Sequence, residues 1–108
     1  MRQGDIYWYT FRAPDKRHPV LIITRNSAIS FLTGITVAPL TIRIRDIPTE
    51  VVLTPEEDSV ATECAVNLDN IQTIQKANLE EFLTTLSPER MREVRAATEF
   101  ALGFDALR

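Results

Sequence analysis

Two residue types that carry much of protein chemistry are almost missing from this 108-residue chain, which has one cysteine and one histidine. A single cysteine excludes an intrachain disulfide, and the apolar neighbours of Cys64, Ala65 and Val66, suit an inert buried thiol. A reducing, cytoplasmic compartment is therefore expected. One imidazole and one thiol cannot supply the usual nitrogen and sulfur ligand sets, so no metal and no other cofactor is expected. The acidic turn Glu56, Glu57 and Asp58 is read as solvated rather than as a hard-cation site. Long apolar runs are lacking too. Stretches such as Val20-Leu21-Ile22-Ile23 fall far below the roughly 20 residues of a membrane span, and no leader is read at the start. There is no P-loop, no dinucleotide fingerprint and no G-x-S-x-G elbow.

What is present suits one domain, expected to cover residues 1–108, because 44% apolar residues can bury one modest core. The formal net charge of -3 argues weakly against a nucleic-acid binder, but the distribution says more. Residues 1–45 hold seven basic residues against Asp5 and Asp15, a net of +5, while the remainder holds five basic and thirteen acidic residues, a net of -8. This separation suggests one surface that attracts a polyanion, unless charges distant in sequence stay apart in space.

Residues 4–11 alternate Ile6, Trp8 and Thr10 with Tyr7, Tyr9 and Phe11, a period of two that predicts a strand with aromatic residues on both faces. A polar loop is predicted over 12–18, with Pro14 and Pro19 restricting the backbone. The next strand, 19–25, is apolar and β-branched in its middle, as when both faces are covered. A loop or single helical turn at 26–34 precedes a strand at 35–41, in which Pro39 points to a sheet edge or a bulge. Residues 42–48 suit a hairpin extension or a mobile basic loop. A short strand at 50–54, a turn at 55–58 and one long or two short strands within 64–76 complete the β part. Residues 78–83 read as a short helical turn. Ser87 is a good N-cap, Pro88 fits the first helical position, and Met91, Val94, Thr98, Ala101 and Leu102 share a helical face that Gly103 ends. The expected class is mainly β (α+β): a small SH3-like barrel with a C-terminal helix.

One constellation carries chemistry. It comprises the basic stretch Lys16, Arg17 and His18, the strand end Thr41 with Arg43 and Arg45 beyond it, and Asp69 with Gln72 and Thr73. Brought together, these supply cations for phosphate, a hydroxyl for a phosphate oxygen and an imidazole that exchanges protons near neutral pH. RNA cleavage through the substrate's own 2'-OH needs no more than that, since the nucleophile comes from the RNA. Each residue has a plainer reading: His18 as a loop residue, Thr41 as a strand-end cap, Arg43 and Arg45 as guards of a sheet edge, Asp69 as an ion-paired or turn carboxylate, and Trp8 and Tyr9 as core or dimer contacts.

Gly4-Asp5-Ile6-Tyr7-Trp8, Pro19-Val20-Leu21-Ile22-Ile23, Val37-Ala38-Pro39-Leu40-Thr41 and Asp69-Asn70-Ile71-Gln72-Thr73-Ile74, in this order, resemble the MazF/PemK family of toxin endoribonucleases (mRNA interferases) from type II toxin-antitoxin pairs. The resemblance covers most of the chain, and what it implies is a MazF/CcdB-like fold and a homodimer with RNA across the dimer groove. It also implies metal-independent, sequence-specific cleavage of single-stranded RNA, whether mRNA, tRNA or rRNA. The products would carry 2',3'-cyclic phosphate and 5'-hydroxyl ends, and a cognate antitoxin would block the groove with an acidic extended segment. His18, Arg17, Thr41 and Asp69 then become the catalytic candidates, and Lys16, Arg43, Arg45, Trp8, Asn67, Gln72 and Thr73 the RNA contacts.

Three positions depart from the family pattern. His18 stands where an arginine usually precedes the proline, Gln72 where the late motif has arginine, and Gln3 where arginine precedes the opening glycine. Histidine, with an ordinary pKa of about 6.5, suits proton abstraction at neutral pH better than arginine, which stays protonated throughout the physiological range. His18 is thus the expected general base, alone or shared with Arg17. Thr41 is expected to hold a nonbridging oxygen, and Asp69 to position a partner or assist the leaving group. Two other classes remain open on sequence: a gyrase-poisoning toxin of this fold that cuts nothing, with Phe104 as a contact, and an SH3-like module that binds peptide through Trp8 and Tyr9.

Overall fold

The computed structural model describes residues 1–12 and 16–106, so Pro14 of the predicted loop lies outside the described residues. The elements run β1 (Asp5–Thr10), β2 (Arg17–Ile22), α1 (Asn26–Ile29), β3 (Gly34–Thr41), β4 (Glu50–Leu53), α2 (Pro55–Asp58), β5 (Cys64–Asn67), β6 (Gln72–Gln75), β7 (Phe82–Thr85) and α3 (Pro88–Leu102). Short 3-10 turns occupy Leu68–Asn70, Lys76–Asn78 and Phe104–Ala106. Every described strand pair is antiparallel, in the order β4-β5-β3-β2-β1-β7, with β6 also on β3. β3 is the hub. It pairs with β6 over Gly34 to Val37 and with β5 at Leu40 and Thr41, so the sheet forks along one strand and curls into a half-barrel.

Alternation along the strands sorts the core into two clusters, one on each face of the sheet. Ile6, Leu21, Ala38, Leu40, Val66 and Leu68 pack with Val94 and Ala97 of α3. Val20, Ile22, Ile35, Val37 and Ile74 pack with Ile29 and with the half-buried Tyr7, Tyr9 and Phe11. The unbroken apolar middle of β2 follows from this: Leu21 faces the first cluster, while Val20 and Ile22 face the second.

Four expectations are corrected. Arg17 and His18 belong to a strand, not a loop, because the β1–β2 ladder runs on through Tyr9↔His18 and Thr10↔Arg17. Pro39 lies in the central strand rather than at an edge. The Thr36 carbonyl accepts from Ile23, which points residue 36 toward β2 and, by alternation, the nitrogen of residue 39 toward the other side. There it falls between the end of the β6 ladder at Val37 and the start of the β5 ladder at Leu40, where no donor is needed. Phe82–Thr85 forms strand β7, since the free edge of β1 pairs with it through Asp5↔Thr85 and Ile6↔Thr84. The acidic turn is not simply solvated: Asp58 is buried, accepting from the Thr54 amide at 2.9 Å and from Arg90 Nε at 3.0 Å.

Helix α3 starts and stops as its caps dictate. The Ser87 hydroxyl accepts from the Arg90 amide at 3.1 Å, Pro88 takes the first turn, and Gly103 at φ 77° adopts the left-handed stop. Its core face includes Ala97, whereas Leu102 is exposed. Among the described residues no helix is long and apolar enough to cross a membrane.

Candidate active site

Which side chains can meet is decided by the same alternation. His18 shares the face of Val20, Thr41 and Pro39 that of Val37, Gln72 that of Ile74, and Phe11 that of Tyr7 and Tyr9. On β5, Asn67 points away from Val66 and so toward this face as well. Pairing brings them side by side through Tyr9↔His18, Val20↔Pro39, Val37↔Gln72 and Thr41↔Ala65. Together with Asn70 they enclose a polar cavity of about 450 Å³ where the apolar cluster of this face gives out. A comparable groove of about 510 Å³ runs along α3 between Ile23, Met91 and Val94, but it holds no imidazole and lies on the opposite face.

Within the cavity each polar group has some bonding capacity committed and some left over. The imidazole of His18 is half-buried and stands edge-on to Phe11, with ring centroids 5.9 Å apart, and Phe11 in turn stands edge-on to Tyr9 at 4.8 Å. The Thr41 hydroxyl accepts the Arg43 amide proton at 3.0 Å, which leaves its own proton free to donate. Asn67 accepts the Asp69 amide through Oδ1 at 3.0 Å, so its NH2 group is the free end. Gln72 donates from Nε2 to the Asn70 carbonyl at 3.4 Å, keeping its own carbonyl free. The site therefore offers one imidazole ring, one hydroxyl donor and two amides whose orientation backbone groups settle.

The other candidates lie elsewhere. Arg17, next to His18 in sequence, points to the opposite face: its guanidinium sits 4.5 Å from the centre of the Trp8 ring and pairs with Glu80 at 2.7 Å and Glu81 at 3.2 Å. Hydrogen bonds from Arg17 and Thr10 hold the Glu80 carboxyl below the usual range. Trp8 is thus covered by Arg17. Arg45 gives both its amide and its Nε, each at 2.9 Å, to the buried carboxylate of Glu50. Arg43 and Lys16 are exposed, and Arg43 has no carboxylate partner among the described residues. Thr73 faces away from Gln72 and packs on Gly34, where a Cβ would come within 3.0 Å of its methyl. Asp69 does not line the cavity, since its Oδ2 accepts the Thr49 hydroxyl at 2.6 Å. Sequence reading passed over Phe11 and Asn70 as site residues, and Thr49 altogether. Phe11 carries a signal in its period with Tyr7 and Tyr9, and Asn70 in its place beside Asp69. Thr49 has none, because it meets Asp69 across 20 residues of sequence.

Comparison with known proteins identifies the family of the chain. Residues 2–102 match the family model described as PemK-like, MazF-like toxin of type II toxin-antitoxin system. The "Probable endoribonuclease MazF5" of Mycobacterium tuberculosis is 37% identical over 100 residues, covering 93% of this chain and 91% of that protein. Among solved structures, the Mycobacterium tuberculosis toxin MazF-mt6 superposes with a TM-score of 0.82 at 30% identity, over 92% of this chain and 96% of that one. A mycobacterial endoribonuclease in complex with its cognate antitoxin gives 0.84 at 29% identity, over 95% of both chains. With a matching family model that spans nearly its whole length and relatives alike from end to end, the chain belongs to the PemK-like, MazF-like toxins of type II toxin-antitoxin systems.

Proposed function

We propose that this chain is a toxin endoribonuclease that cuts single-stranded RNA without a metal, and that the cavity between His18 and Thr41 is where it cuts. The convergence of an imidazole, a free hydroxyl proton and oriented amides on one sheet face carries the reading. His18 takes the proton of the substrate 2'-OH, and the O2'–P bond forms as the P–O5' bond breaks. The products are a 2',3'-cyclic phosphate and a 5'-hydroxyl: the leaving O5' takes its proton from solvent water, and His18 returns the proton it gained to solvent. Thr41 donates to a nonbridging oxygen as charge builds on phosphorus, and Arg43 and Lys16 draw the backbone in from the rim. Asn67, Asn70 and Gln72 bind the unpaired nucleotide, with Phe11 as a stacking surface.

Arg17 supports folding rather than proton transfer, because Glu80, Glu81 and the Trp8 ring occupy its guanidinium. Endoribonuclease names among the relatives favour cutting over a gyrase-type protein contact, and the cover of Arg17 over Trp8 disfavours a peptide groove. The setting that goes with this reading is the cytoplasm, with a homodimer whose groove runs past both cavities and an antitoxin whose acidic extended segment competes with RNA there.

The test is incubation of long single-stranded RNA with purified protein in EDTA, followed by mapping of new 5'-hydroxyl ends. Clustered cuts are expected from the wild type. His18→Ala should lose about 100- to 10,000-fold in rate, the usual contribution of a general base. Arg17→Ala should keep most of the rate wherever it remains folded. RNA left intact by the wild type refutes the enzyme reading, and cutting undiminished in His18→Ala refutes the assignment of the base.

A further inference from the structure

The cavity has two walls that come from distant parts of the chain, and one pair of neighbouring residues grips the segments behind both. One wall is the end of β3, where Thr41 leads into the loop of residues 42–48 that carries Arg43 and Arg45. The other is the connection from β5 to β6, where Asn67, Asn70 and Gln72 sit around the 3-10 turn Leu68–Asn70. That turn leaves the sheet between Val66, paired with Leu40, and Gln72, paired with Val37, so no ladder holds it to β3.

Thr49 and Glu50 supply the missing hold. Glu50 takes the Arg45 amide and Nε with its two carboxylate oxygens, both at 2.9 Å, and so pins the basic loop. Thr49 grips the turn twice. Its carbonyl accepts the Leu68 amide at 2.9 Å, and its hydroxyl donates to Asp69 Oδ2 at 2.6 Å, a short charge-assisted bond. Thr49 is buried, while Asp69 is exposed and outside the cavity lining. The Asp69 amide in turn fixes the carbonyl of Asn67 at 3.0 Å, which aims the Asn67 NH2 group. A chain of bonds thus runs from Thr49 through Asp69 to an amide that faces the cavity.

We infer that Thr49 and Asp69 are a positioning pair for RNA: a clasp that holds the amide wall in register with the loop beyond Thr41. Asp69 acts through its neighbours and touches no reacting atom. This rests on the proposed function for its effect on RNA, but not for its effect on the protein. Because the wall holds substrate and moves no proton, loss of the clasp should fall on KM and leave the pH profile of kcat unchanged.

The experiment is a mutant cycle of Thr49→Val, Asp69→Ala and the double variant, with Thr49→Ser as the variant that keeps the hydroxyl. Thr49→Val should raise KM about 10- to 100-fold, the scale on which a misplaced binding group costs. Thr49→Ser should stay within about threefold of wild type, and the double variant should be no worse than the poorer single one, as for residues acting as one unit. Hydrogen exchange of residues 67–70 in the free protein should quicken in Thr49→Val and not in Thr49→Ser. A wild-type KM in a folded Thr49→Val, or an Asp69→Ala loss that lies in kcat and adds to that of Thr49→Val, overturns the inference. Should the wild type cut no RNA, the proposed function fails instead, and the exchange data decide the clasp alone: protection of 67–70 unaltered in Thr49→Val overturns it.

Discussion

Replacing Thr41 by valine removes a hydroxyl at nearly constant volume, and the structure says what two things are lost. The first is the bond that the hydroxyl accepts from the Arg43 amide at 3.0 Å. Arg43 is exposed, so water can take over its amide, and the stability cost should be no more than about 0.5–1.5 kcal/mol. The second is the hydroxyl proton itself. With one lone pair occupied by the amide, the O–H is the free end of the group, and in the proposed reaction the cavity it lines is where a nonbridging oxygen gathers charge. Removing one preorganised donor of this kind costs about 100- to 1,000-fold in kcat, roughly 2.7–4 kcal/mol of transition-state stabilisation. Single-turnover cleavage of a fluorogenic RNA at saturating enzyme reads that step directly, and thermal melting by circular dichroism reads the first. Thr41→Ser, which keeps the hydroxyl, should recover most of the rate. A Thr41→Val variant that melts normally and cuts within about threefold of wild type would refute the role, as would a loss confined to KM, since a bond made equally to ground state and transition state does not change kcat.

Two further outcomes follow from groups outside the cavity. Asp58→Ala should destabilise the fold by about 1.5–3 kcal/mol, because it removes the acceptor of the Thr54 amide and of Arg90 Nε and leaves that guanidinium, only 16% exposed, with Glu57 and Glu93 alone; denaturant unfolding measures this. Burial first, and then the nearby Asp58 and Glu63 charges, push the Cys64 thiol up to about 11 from an ordinary 9.0. The neutral thiol is therefore favoured by the fold, its stabilising effect is complete below about pH 9 and is lost as pH rises toward about 11, and native protein at pH 8 should resist iodoacetamide until it is unfolded.

How far the residues announced all this depends on whether a feature is local. Strand β1 was legible because its aromatic residues alternate, and both ends of α3 because Ser87, Pro88 and Gly103 act on their own neighbours. Strand β7 was not: Phe82–Thr85 is a strand because the edge of β1 lies beside it, and Leu79 to Glu81 offered no turn signal of their own. The cavity was half legible. His18 and Thr41 could be singled out by residue type, yet only the register Tyr9↔His18 and Val20↔Pro39 puts them on one face. The same register takes Arg17 and Thr73 off it, although each stands next to a residue that stays.

The charge asymmetry shows the same dependence on partners. Two of the seven basic residues in its basic half are answered by carboxylates from the acidic half: Arg17 by Glu80 and Glu81, Arg45 by Glu50. Glu80 and Glu81 come from the segment that folds back along β1, and Glu50 from the start of β4 itself, so a tally by sequence position counts as attraction for a partner some of what the fold spends on itself. What remains near the cavity is sparse, with Arg43 immediately beyond Thr41 and Lys16 two residues before His18. A site so lightly charged binds a polyanion by where its few cations sit, not by how many there are. Positioning then matters more than charge, and under the inferred clasp a buried threonine behind the wall, with no charge and no contact with the cavity, governs how the RNA is held.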